Sequence, residues 1–104
     1  MTINFSERKY SVDNKVKAYA EKKCGKLDRY FDKETDVVVA FSNERGMDTA
    51  EITVRSGGMI FRAQEKTTDM YASIDMVEDT IERQLRKFKN KLVDKKQNAM
   101  SLSQ

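Results

Sequence analysis

Between Ile74 and Leu92 the large apolar residues fall at Ile74, Val77, Ile81, Leu85, Phe88 and Leu92, in steps of three and four with no break. That period puts all six on one face of an α-helix and defeats a strand reading, in which alternate residues share a face. Thr67, Thr68 and Asp69 stand just ahead with the side-chain oxygens that cap a helix N-terminus. A helix striped in this way must bury its apolar face. In a chain of 104 residues that means burial against the rest of one domain.

The partner surface is legible upstream. TINFSE alternates, with Ile3 and Phe5 on one face, and reads as a short strand. The period then changes: after Ser11, an N-cap residue, Val16, Ala20, Cys24, Leu27 and Phe31 keep helical spacing, which predicts a helix over about 12–30. DVVVAFS, 36–42, is β-branched and continuously apolar, as a central strand is, and SNERGMD is its turn. AEITVRS alternates, SGG offers the positive φ angles of a tight hairpin, and MIFRAQ returns, with Ile60 near the turn.

The order is β-α-β-β-β-α, an α+β domain. Two helices separated by strands find a common burial surface by packing side by side on one face of a four-stranded sheet. The first strand, followed by a helical crossover, enters parallel to a neighbour, and the other three form a meander. Residues 1–94 make this domain. The last ten, 95–104, KKQNAMSLSQ, lose the apolar period and read as a flexible tail or the start of a linker.

Net charge is only +3, from 20 Lys and Arg against 17 Asp and Glu, so any case for an anionic partner rests on where the charges sit. In the second helix the acids Asp69, Asp75, Glu78, Asp79 and Glu82 come first and the bases Arg83, Arg86, Lys87, Lys89 and Lys91 last. The helix macrodipole explains that order along the axis, and Asp79 with Arg83, and Glu82 with Arg86, are spaced as i,i+4 pairs. In the first helix, Lys15, Lys22, Lys26 and Arg29 fall within about 60° of one another, with Lys23, Tyr19 and Tyr30 between them and the apolar stripe. Glu21 and Asp28 lie on the other flank. Sorting around the axis is not a macrodipole effect, so two basic surfaces on one sheet face form an electrostatic footprint for phosphate.

Other chemistries find little support. Asp75 and Asp79 have the spacing to share a metal or a proton, yet there is no histidine and no third ligand, and a solvated acidic turn accounts for them. Cys24 lies on the apolar face as a small hydrophobe with no histidine to activate it, and as the sole cysteine it fits a reducing cytoplasm. SGG lacks the lysine-serine pair and the following helix of a phosphate loop. Met47, Met59 and Met70 read as gap-filling residues. No signal peptide or membrane span is present, and neither an enzyme, a cofactor, a metal site nor a small-molecule substrate is expected.

KKCGKLDRYF in the first helix, TDMYASID opening the second and ERQLRKFKNK after it resemble the ribosome hibernation promoting factor family, also called ribosome-associated inhibitor or protein Y, over residues 2 to about 93. The resemblance implies a fold akin to double-stranded RNA-binding domains. It also implies a protein that sits on the small ribosomal subunit in the mRNA and tRNA channel and silences translation in stationary phase or stress. On matching positions it makes Lys22, Lys23, Lys26, Arg29, Arg83, Arg86, Lys87 and Lys91 the rRNA-facing residues and gives Asp69 and Tyr71 structural roles. Pairing of ribosomes would need a C-terminal dimerisation domain in the full-length protein. Cys24, where relatives tend to carry a larger aliphatic residue, and the SNERGMD turn depart from the family pattern. A generic double-stranded RNA-binding module, or a protein-interaction adaptor using the same charged helices, is the alternative.

Overall fold

The computed structural model describes residues 1–7, 10–31 and 34–103, with side chains as far as Phe88. The elements run β1 (Thr2–Ser6), α1 (Asn14–Gly25), a 3-10 helix (Lys26–Tyr30), β2 (Thr35–Glu44), β3 (Met47–Ser56), β4 (Met59–Thr67) and α2 (Met70–Ser103). The sheet order is β1-β2-β3-β4, with β1 parallel to β2 and the other pairs antiparallel. This is the expected β-α-β-β-β-α order, crossover and meander included.

The register lines up the sheet's inner rows. Ile3, Val37, Val54 and Phe61 are successive cross-strand neighbours, and so are Phe5, Val39, Ile52 and Ala63. Val37, Val39, Ile52 and Val54 are fully buried, and against them pack Val16, Ala20, Cys24 and Leu27 from the first helical segment and Met70, Ile74, Val77, Ile81 and Leu85 from α2. Phe5 stacks on Phe41 at 6.0 Å between ring centres, and Phe61 meets Phe88 edge to face at 5.4 Å. α2 lies over β3 and β4, α1 touches β1, and both helical segments touch each other. The opposite sheet face is open. Period-two alternation leaves Val38, in the middle of the apolar run of β2, 37% exposed there, and Ile60 60% exposed.

Several boundaries differ from the sequence expectation. α1 starts later than 12, because Asp13 rather than Ser11 caps it, its Oδ1 accepting from Val16 N–H at 2.9 Å. It also tightens to 3-10 geometry from Lys26, so 12–30 is two elements. The turn expected over SNERGMD shrinks to Arg45 and Gly46, both at positive φ (54° and 78°), and β2 and β3 extend into the rest. Two consecutive left-handed residues make the tight hairpin turn whose twist matches the strands. β4 likewise continues past the expected MIFRAQ to Thr67. Asp69 caps α2 through Tyr71 N–H (3.3 Å), and the Ser73 hydroxyl donates to the Asp48 carbonyl at 2.7 Å, tying the helix start to β3. The division at 94, and the tail at 95–104, concern side chains outside the described residues.

Removing a methylene cluster from the seam should cost far more than the same change on the open face. Ile81→Ala is expected to lower the unfolding free energy by about 2–5 kcal/mol and Val38→Ala by less than about 1 kcal/mol, read from urea denaturation at fixed pH.

Candidate nucleic-acid interface

α1 and α2 lie side by side because each buries its stripe on the same sheet face, so the flank of one faces the flank of the other. On α2 the flank residues are Tyr71, Asp75, Glu78 and Glu82, spaced four, three and four, which stack one above another along a helix. The first helical segment meets them with Tyr19, Lys23, Arg29 and Tyr30.

These contacts fill the seam. Asp75 accepts from the Tyr19 hydroxyl at 2.5 Å and pairs with Lys23 at 3.2 Å. The Tyr19 ring packs edge-on against Tyr71 at 5.1 Å, with the Lys23 ammonium 5.6 Å from the Tyr19 ring centre. One turn further, Glu82 accepts from the Tyr30 hydroxyl at 2.8 Å and from the Arg29 guanidinium, which also lies over the Tyr30 ring at 5.1 Å. Asp75 shifts the proton affinities on both sides: the Tyr19 phenol and the Lys23 ammonium are each held above their ordinary values, in both cases first by their bond to Asp75, and for Tyr19 against a partial pull downward from Lys23.

Two carboxylates at the centre of this seam are withdrawn from water. Glu78 is 7% exposed and Glu82 8%. Burial works against the charge on Glu82, but hydrogen bonds from Glu78, Tyr30 and Arg29 outweigh it and hold that carboxyl below its ordinary value. Glu78 has no such help: its Oε1 is buried without a hydrogen-bond partner among the described residues. Burial first, then its hydrogen bond to Glu82, pushes it up to about 7, against a partial pull downward from Lys26 and Lys23. Beneath it, burial and the same Glu78 raise the Cys24 thiol to about 12, which makes that cysteine inert, as its place on the apolar face implies.

The predicted site residues therefore divide. Lys23 and Arg29 are engaged across the seam. Arg83 pairs with Asp79 at 2.5 Å, the i,i+4 pair read from the sequence. The other expected pair is corrected: Glu82 turns to Arg29 and Tyr30 instead of Arg86, because two donors from the neighbouring 3-10 helix meet its buried carboxylate. Lys22, Lys26, Arg86 and Lys87 are exposed, and among the described residues no acid stands within ion-pair distance of them. Lys91 lies outside the described side chains. Tyr19 packs edge to face with Tyr71 and Tyr30 lies under the Arg29 guanidinium, and each hydroxyl bonds to an acid of α2. Asp75 and Asp79 turn to separate partners, and no cluster of metal-ligating side chains occurs among the described residues. No described helix is long and apolar enough to cross a membrane. The role of Asp75, Glu78 and Glu82 was missed in the sequence, although their common flank on the helical wheel was a usable signal.

Residues 3–93 match the family model described as sigma 54 modulation protein / S30EA ribosomal protein. The chain belongs to this family. Among its relatives it is 38% identical to a ribosome hibernation promotion factor of Deinococcus radiodurans, over 88% of this chain and 51% of that protein. It is 34% identical to that of Lactococcus lactis, over 98% of this chain and 57% of the relative. The chain thus spans little more than half the length of these two relatives. It spans 91% of a ribosome hibernation promoting factor from Azotobacter vinelandii, with 34% identity over 93% of this chain. In structure it is similar to the protein Y N-terminal domain of Thermus thermophilus, with a TM-score of 0.76 and 35% identity, over 85% of this chain and 99% of that one. A ribosomal subunit interface protein of Coxiella burnetii shares the fold at a TM-score of 0.76.

The raised Glu78 has a sign for this hibernation-family domain's stability. Its folded proton affinity exceeds the ordinary carboxylate value near 4.5, so folding takes up a proton. The stabilisation is complete below about 4.5 and lost as pH rises to about 7. Glu78→Gln, which mimics the protonated form, should gain stability relative to the parent over that window and keep the gain, on the order of 1 kcal/mol, above it. Urea denaturation of both proteins at pH 5 and pH 8 measures this.

Proposed function

We propose that this domain is a hibernation factor that binds the small ribosomal subunit in the mRNA and tRNA channel through rRNA phosphates and blocks translation by occupying that space. The observation that carries the reading is that Lys22 and Lys26 on one helical segment and Arg86 and Lys87 on the other are exposed and without an ion-pair partner among the described residues, along two helices packed on one sheet face. Family membership supports the partner. The partly engaged Lys23, Arg29 and Arg83 extend the same rims. The surface Lys23–Asp75 and Arg83–Asp79 pairs are weak enough to exchange for a phosphate, and Arg29, although bonded to the buried Glu82, keeps its side chain 64% exposed.

The recognition is of backbone and shape. A-form helices hide their major groove and present backbone and shape instead. Occlusion needs no chemistry: the folded body takes the volume that message and anticodon arms would use. Stationary phase or stress is the setting in which such a block would serve the cell, and the cytoplasm its place.

Reversing Lys22, Lys26, Arg86 and Lys87 to Glu should abolish co-sedimentation with small subunits and inhibition of in vitro translation, with an unchanged circular dichroism spectrum. Removing one of these phosphate contacts should lower the slope of log affinity against log salt by about 0.7–0.9. Equal affinity for any RNA duplex offered as competitor would make it a generic duplex binder, and inhibition that survives the reversal would favour an adaptor.

A further inference from the structure

The α1–α2 seam contains a carboxyl pair that the binding reading does not use. Glu78 and Glu82 are one helical turn apart on the same flank of α2, and both are buried. Two buried carboxyl groups so placed repel when both are charged, which favours a proton on one of them. Glu82 is the one held as an anion, since Tyr30 and Arg29 both donate to it. The proton therefore belongs to Glu78, whose Oε1 has no partner among the described residues.

The surroundings place this proton beneath the cationic rims. α1 faces Glu78 with Lys23 and the buried Cys24, the 3-10 helix faces it with Lys26, and its own helix supplies Glu82. Lys26 is one of the unpaired cations of the interface, and Lys23 also holds Asp75. When Glu78 is ionised, its negative charge lies against both lysines and lowers the potential they offer to a phosphate. When it is protonated, that opposition is gone.

We propose that Glu78 is a proton-linked regulator of anion binding: the proton of the Glu78–Glu82 pair raises the positive potential of the helix rims, so polyanionic RNA binds more tightly as pH falls through neutrality. This rests on the RNA-binding reading above. The coupling is reciprocal, since phosphates set over Lys23 and Lys26 must also strengthen the hold of Glu78 on its proton. Burial and the neighbouring Glu82 hold this proton in the free protein up to about pH 7. The chain contains no histidine, the side chain that ordinarily changes charge in that range.

The test is the affinity of the protein for purified small subunits at constant ionic strength, from pH 6 to pH 8, for the parent and for Glu78→Gln. The parent should lose roughly three- to tenfold in affinity across that range, within the ceiling of about tenfold per pH unit that one linked proton allows. Glu78→Gln should bind at every pH about as tightly as the parent does at pH 6. Carboxyl carbon NMR of the free parent should give Glu78 a titration midpoint near neutrality. A flat profile for the parent, a slope retained by Glu78→Gln, or a Glu78 midpoint below 5 would each overturn the inference while leaving RNA binding in place. No binding by the parent at any pH would instead overturn the proposed function, and the linkage with it.

Discussion

The placement of both cationic rims depends on the seam between α1 and α2. Apolar burial alone brings two striped helices onto a sheet, but it is non-directional and does not fix how one slides along the other. The line Tyr71, Asp75, Glu78 and Glu82 on α2 does so, because Tyr19 and Lys23 must meet Asp75 while Tyr30 and Arg29 meet Glu82. A shift of one turn would leave a buried carboxylate without donors, which costs more than any exposed ion pair returns. The outer cations inherit their spacing from that register.

The fold was legible where a single period decided it. Three-and-four spacing marked α2 and most of α1, alternation marked β3, and the change of period between them marked the joints. The boundaries missed were those decided by one local interaction. Asp13 outcompetes Ser11 as a cap because its carboxylate reaches Val16 N–H, and nothing in apolar spacing distinguishes the two. The 3-10 segment continues the same apolar stripe, with Leu27 still buried, so periodicity could not see the change. SNERGMD looked like a loop because its residues are polar, but polar side chains on the open face of paired strands are ordinary, and only Arg45 and Gly46 have to turn.

The interface was legible as a sorting of charge within each helix, and illegible in what lay between helices. A helical wheel shows that Lys22, Lys23, Lys26 and Arg29 share a side; it does not show that the neighbouring helix will present Asp75 and Glu82 to Lys23 and Arg29. That requires the relative placement of elements separated by the whole sheet. The acids early in α2 had a sufficient local explanation in the macrodipole and in i,i+4 pairing. One of the two local pairs, Asp79 with Arg83, does form. The other lost Glu82 to tertiary contacts, because a hydroxyl and a guanidinium from the neighbouring segment together satisfy its buried carboxylate, where Arg86 alone would supply only one of them.

A binding surface built this way has acids at its centre and cations at its rims, and that arrangement limits what it can hold. A single phosphate placed over the seam would meet Asp75 and Glu82 as well as Lys23 and Arg29, with little net attraction. A polyanion that lays phosphates along both rims meets Lys22 and Lys26 on one side and Arg86 and Lys87 on the other, with the acids screened beneath by their own partners. On the proposed reading, this surface discriminates by the spacing of charge across two helices rather than by its amount, as suits a chain whose net charge is only +3. Small free phosphates, which match the charge but not the spacing, have no favoured place on it.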